Sequence, residues 1–161
     1  MKDAQKKAEQ ERVALDAGEE RALALAWHLD IDPDDVTEMA WGDGENFDAG
    51  GLGEYRVLTD GEADEAVEEY IRETLWAFNP EFLVPYIADG SLRPEDVAGI
   101  IGGRCEDANP ALLALVGNSL PELIEGAVQT DGRGIFLAGY DFEEIESEEI
   151  DMETFYIYRT N

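Results

Sequence analysis

Residues 54–83 read EYRVLTDGEADEAVEEYIRETLWAFNPEFL, and within them a strand passes directly into a helix. Tyr55 and Val57 alternate with Arg56 and Leu58, the two-residue period of a strand. Thr59, with Glu62 three residues on, forms a capping box that starts a helix where the strand stops. Over 62–78, Ala63, Ala66, Val67, Tyr70, Ile71, Thr74 and Phe78 share one side. Asp64, Glu65, Glu68, Glu69, Arg72 and Glu73 fall mostly on the other, so the predicted helix is amphipathic and acidic. Asn79-Pro80 interrupts it, and a second helical piece follows over 81–88.

Working outward, NFDAGGLG at 46–53 supplies a short strand around Phe47 and a glycine-rich turn, completing a hairpin with 54–59. Upstream, residues 3–29 read as one long helix, polar at first and then apolar at Val13, Leu15, Ala22, Leu25, Ala26 and Leu29. Asp32-Pro33 then opens a short helix with Val36, Met39 and Ala40 inward. Downstream, helices are predicted over 94–101, 110–116 and 120–129, the last with Ser119 and Glu122 as a second capping box. Residues 131–134 turn the chain into strands over 135–140, weakly over 142–146, and over 154–159. Strands on either side of a helical middle predict an α+β fold. It has a mostly antiparallel sheet of three to five strands, several helices and a long N-terminal helix. The domain reading is a helical arm over 1–29 and a single α+β domain over 30–161.

Charge dominates the composition. Thirty-nine Asp and Glu against eleven Lys and Arg give a formal net charge of -28 in 161 residues. A hydrophobic fraction of 44% with fifteen aromatic residues is that of a folded chain and not of an acidic disordered tail. Direct nucleic-acid binding is excluded for want of clustered cations, and an anionic membrane meets the same repulsion. The three lysines all lie within the first seven residues, and every later cation is arginine. Cys105 is the only cysteine, so there is no intramolecular disulfide framework. The start has no apolar signal region and no stretch of eighteen apolar residues occurs, so a cytoplasmic location is expected.

The stretch at 54–83, together with DGRGIFLAGYDFEEIES at 131–147 and FYIYRTN at 155–161, resembles a family of small acidic proteins encoded by bacteriophages and prophages. It covers about half of the chain. The family has no established biochemistry, so the resemblance implies a setting, the infected bacterial cell, and no catalytic residues.

No residue pattern points to catalysis, a metal or a cofactor. His28 is the only histidine, and on a helix beside Trp27 it reads as structural. Cys105 follows Gly102-Gly103-Arg104 without a nearby base and reads as a buried or inert thiol. GIIGGR at 99–104 lacks the Lys-Ser/Thr of a phosphate loop and reads as a helix end. DIDPDDVTEMAW at 30–41 begins like a calcium loop, yet Asp35 stands where glycine is required and Trp41 where glutamate is. With thirty-nine carboxylates, a pair at any given separation carries no information.

The acids themselves fall into four blocks, Asp30–Glu38, Asp43–Glu54, Glu62–Glu73 and Glu143–Glu153. The candidate binding surface is Asp30, Asp34, Asp35 and Glu38, then Asp64, Glu65, Glu68 and Glu69, then Glu143, Glu144, Glu146, Glu148, Glu149 and Asp151. Solubility needs a net charge of only about 2 to 8 for a small domain. The charge of this chain matches roughly 14 base pairs of duplex, at one charge per ~1.7 Å of axis. The functional expectation is a phage acidic binding protein acting as a DNA mimic. It would occupy the basic groove of a host nuclease, such as a restriction or CRISPR effector. The alternative is a non-enzymatic structural or self-assembling protein, joined through 108–128 or the N-terminal helix, whose acids serve solubility or high salt.

Overall fold

A computed structural model describes residues 17–161, and the expected helix over 3–16, with Val13 and Leu15, lies outside the described residues. The strand-to-helix junction is as the sequence predicts. β3 (Glu54–Thr59) ends where α2 (Asp60–Thr74) begins. The Glu62 amide donates to Thr59 Oγ1 at 3.3 Å and the Thr59 amide to Glu62 Oε1 at 2.8 Å, closing the capping box. The other elements are α1 (Ala17–Leu29), β1 (Thr37–Glu38), β2 (Asn46–Asp48), α3 (Pro80–Leu83), α4 (Pro94–Ile101), α5 (Asn109–Val116), α6 (Leu120–Asp131), α7 (Gly134–Leu137), β4 (Ile145–Glu146) and β5 (Phe155–Arg159). The protein is α+β, with one five-stranded antiparallel sheet ordered β1-β2-β3-β5-β4.

The chain divides into two units, residues 17–64 with Arg133–Asn161, and Glu65–Gly132. In the first, Val57 pairs with Ile157 and Thr59 with Phe155 across β3 and β5. This register puts Tyr55, Val57, Phe155 and Ile157 on one sheet face. There they form a buried cluster with Phe47 of β2 and with Leu23, Ala24, Leu25 and Trp27 of α1. Residues 23–27, within the stretch expected as an arm, are therefore core. The opposite face is also covered in part, since Leu58 and Tyr158 have no exposed surface. Burial on both faces is why the alternation expected at 55–58 is incomplete. Gly53, at the foot of the hairpin turn, has a φ of +110°, and a Cβ there would lie 2.5 Å from the Asn161 carbonyl oxygen.

In the second unit, the α2 residues Ala66, Val67 and Ile71 are buried, while Tyr70 is exposed. The 3-10 turn Leu75–Ala77 ends the run, and Asn79 caps α3 through the Glu81 amide at 3.0 Å. Buried Asn109 accepts from the Trp76 amide and donates to the Arg72 carbonyl, satisfying backbone groups at the end of α2. Leu112, Val116, Leu120, Leu123 and Ala127 make the buried stripe of α5 and α6. By length and composition the helical run Cys105–Asp131, with an eighteen-residue stretch of mean hydropathy 1.3, is sufficient to cross a membrane, a property that core helices of soluble proteins share. Gly117, at φ +52°, breaks that run.

Four expectations are corrected. The helix over 33–40 is a single 3-10 turn, Pro33–Asp35, capped by Asp32. β-Branched Val36 then turns extended and leads into β1, leaving Ala40 exposed. Ser119 makes no side-chain cap, because at φ -86° and ψ 1° it lacks the extended backbone of a capping residue. The strand over 135–140 is instead α7 followed by a turn, with the amides of Phe136 and Leu137 both donating to the Arg133 carbonyl at 3.1 Å. A short apolar run such as IFLA has no period that separates strand from helix. Finally, the Cys105 thiol is exposed.

Gly134 lies against backbone, and a Cβ there would come within 2.5 Å of the Phe142 carbonyl oxygen and 2.9 Å of the Glu144 nitrogen. Gly134→Ala is expected to destabilise the protein by about 1–3 kcal/mol, the cost of forced overpacking. Chemical denaturation checks it. An unchanged midpoint would show that the 142–144 backbone yields freely.

Candidate functional site

Acidic segments meet at Arg133. Its side chain is nine-tenths buried, and its Nε donates to Glu144 Oε2 at 2.7 Å. Nη1 reaches Asp60 Oδ1 at 2.8 Å, the Asp60 carbonyl at 3.1 Å and Asp64 Oδ1 at 3.0 Å. The guanidinium carbon sits 4.6 Å from the centre of the Tyr156 ring, and the Tyr158 hydroxyl donates to the same Glu144 oxygen. Burial acts to lower the Arg133 pKa. The hydrogen bonds to Glu144 and Asp60 overcome it and push the pKa above the usual range. Burial first, then the Glu144 hydrogen bond and charge, hold Tyr158 neutral well above ordinary tyrosine.

The first unit carries twenty-two Asp and Glu against four Arg over its described residues, a net of -18. Each of those arginines is engaged within the unit. Arg21 bonds both Glu62 oxygens and the Val57 carbonyl and lies over the Phe155 ring. Arg56 pairs with Glu45 at 3.1 Å. Arg159 stacks 3.7 Å from the Tyr140 ring centre and donates to the Asn161 carbonyl. The cations of this unit are spent on holding it together, and most of the remaining acids are exposed.

The acids of the candidate surface are exposed, but the structure gathers only some of them. Asp30 ends α1 in a left-handed conformation, Asp34 and Asp35 lie in the 3-10 turn, and Glu38 is on edge strand β1. Asp64 and Glu144 converge on Arg133. Glu143, Glu146, Glu148 and Glu149 are exposed on and around edge strand β4, and Asp151 is at the tip of the next turn. Glu65, Glu68 and Glu69 belong to the second unit, where Glu68 pairs with Arg72 at 2.8 Å. Sequence reasoning missed Arg133, Asp60, Tyr156 and Tyr158. Arg133 and Asp60 are 73 residues apart, and the one available signal was an arginine in a turn just ahead of the last acidic block.

Two carboxylates, Glu20 of α1 and Glu62 of α2, are shifted in opposite directions. Burial raises Glu20, as do a hydrogen bond with Asp151 and the charges of Asp151 and Glu153. Burial alone would raise Glu62, but its bonds with Arg21 and Thr59 outweigh that and lower it. A shallow open depression of about 160 Å³ is lined by Ala24, Trp27, His28, Glu146, Ser147 and Glu148. Exposed His28 lies in the last turn of α1, where a cation complements the helix dipole. Among the described residues no three His, Cys, Asp or Glu side chains converge as a metal site.

Arg133→Met is expected to cost about 2–4 kcal/mol. A buried ion pair broken on one side costs more than this, and the exposure of Asp60 and Asp64 reduces it. Urea denaturation reads it, and a loss under about 0.5 kcal/mol would show the network to be dispensable. Glu62→Gln should destabilise at neutral pH by about 1–2 kcal/mol, the effect fading as pH falls through the lowered folded pKa. Glu20→Gln should stabilise at neutral pH, with the gain fading as pH falls through the raised folded pKa and gone below the ordinary glutamate pKa of about 4.3. Stability curves against pH with the same sign for both variants would contradict these assignments.

No protein-family model, curated protein or solved structure matches the chain.

Proposed function

We propose that this is a phage-encoded acidic binding protein that acts as a DNA mimic, occupying the basic nucleic-acid groove of a host nuclease such as a restriction or CRISPR effector. The observation that carries the reading is the use of the arginines. In the unit that holds the sheet, all four are engaged inside the unit, whose net charge over its described residues is -18 with most of its acids exposed. Self-repulsion of this size costs stability that solubility alone does not require. A basic groove lowers that cost on binding and is reached by fast, electrostatically steered association. The resemblance to acidic phage proteins supplies the setting, a cell whose defence nucleases carry such grooves.

The test is DNA cleavage by purified restriction and CRISPR nucleases in the presence of the protein. Inhibition competitive with DNA is expected for at least one enzyme. It should weaken by about tenfold or more when salt rises from about 50 to about 200 mM, and when Glu143, Glu146 and Glu148 are together replaced by lysine. Inhibition insensitive to both changes, or full cleavage with no binding to any enzyme at low salt, would reject the mimic.

A further inference from the structure

Three of the seven exposed large apolar side chains among the described residues fall within eight positions: Ile135, Tyr140 and Phe142, at 43%, 57% and 60% exposure. This clustering beside the densest acidic block is not what solubility or salt adaptation requires, since both are served by polar side chains there. The Tyr140 ring is held by a stack, and the turn that carries Phe142 is held through its backbone. Tyr140 is stacked against Arg159, and its amide donates to the Arg159 carbonyl at 3.2 Å. Phe142 has a φ of +62°, a conformation that side chains bearing a Cβ rarely adopt. The Phe142 amide bonds the Ala138 carbonyl at 2.8 Å, and Asp141 Oδ1 accepts from the Glu143 amide at 3.1 Å. The bare Cα of Gly134 lets the Phe142 backbone close in.

We infer that the turn carrying Tyr140 and Phe142 is the apolar centre of the interface through which the acidic surface grips its partner, a basic protein with an apolar crevice between its arginines or lysines. The inference rests on the binding reading above and deepens it. Charge complementarity names the occupant: Asp141 and Glu143 flank the rings, so the rim favours cations. A second copy of this chain would bring the same acids against themselves across a two-fold axis. Arginines of the partner that approach Asp141 and Glu143 also find ring faces to stack on. Charge alone admits any basic groove, whereas exposed rings on a fixed turn select those with a matching crevice.

The experiment uses two synthetic arginine-rich peptides of equal length and charge, one spaced by glycine and the other by leucine. Each is titrated calorimetrically into the full chain at about 50 mM salt, with the Tyr140 and Phe142 ring signals followed by NMR. The leucine peptide is expected to bind about tenfold tighter and to shift both rings. That advantage should disappear in the Tyr140→Ser, Phe142→Ser double variant, while its affinity for the glycine peptide stays unchanged. If the double variant fails to fold, Phe142→Gly, suited to the positive φ, carries the comparison and should lose most of the advantage. Equal affinity for the two peptides, or an advantage that survives in the variants, overturns the inference and leaves the acidic binding reading standing. Failure of both peptides to bind overturns both. A dimer in sedimentation that the variants abolish shows that a second copy covers the rings, and overturns it as well.

Discussion

Arg133 is the constraint around which the sheet-bearing unit is arranged. Three carboxylates, a carbonyl and an aromatic face meet one guanidinium, and lysine, a point charge on a flexible stem, has no geometry that serves them all. The ligands come from the start of α2, from the segment before β4 and from β5, so one side chain ties the strand-to-helix junction to both late strands. Its own backbone takes part, since the Arg133 carbonyl accepts the first amides of α7. A chain pinned in this way turns into a helix at Gly134. That is the physical reason the apolar run after it does not continue as a strand.

The same economy explains how so acidic a chain folds. Two unit charges about 6 Å apart in water repel by about 0.7 kcal/mol, and salt screens them beyond about 8 Å. Spread acids are therefore tolerable individually, and the danger lies where the fold forces them together. At those places an arginine is present: Arg21 under Glu62, Arg56 beside Glu45, Arg133 between Asp60, Asp64 and Glu144. Where none outweighs the crowd, as at Glu20 against Asp151 and Glu153, the carboxyl instead holds its proton more tightly. A few directional contacts thus offset a diffuse repulsion.

These contacts also mark the boundary of what was legible in the sequence. The capping box at Thr59, the hairpin over 46–59, the helix break at Asn79-Pro80, the Asp32 cap and the helix end at Gly102 are local, each set by residues within a few positions. They were read correctly, as was the α+β class that follows from strands flanking helices. The failures at 33–40 and 135–140 come from short stretches whose conformation is set elsewhere, the first by edge pairing of Thr37 and Glu38 with Asp48 and Phe47, the second by Arg133. Ser119 has the composition of a cap but not the extended backbone that aims a cap side chain at the following amides. The acidic blocks were visible as composition. Which acids meet was not, because Asp60 and Glu144 are brought together by a tertiary contact that no periodicity encodes.

Two left-handed turns frame the last acidic block and bear on whether its charge is used. Phe142 precedes it, and Asp151-Met152 lies at its far end within the tight Ile150–Glu153 turn, with Met152 90% exposed. Left-handed backbone costs a residue bearing a Cβ about 1–2 kcal/mol, and turns of the second kind favour Asn-Gly. Glycine at 142 and 152 would remove that cost without altering a single charge. A surface shaped only for solubility or salt has no reason to keep a phenylalanine and a methionine there. Exposed apolar tips on left-handed backbone beside five acids between 143 and 149 support the proposed contact surface, with charge to draw a partner in and apolar points to discriminate among those that arrive.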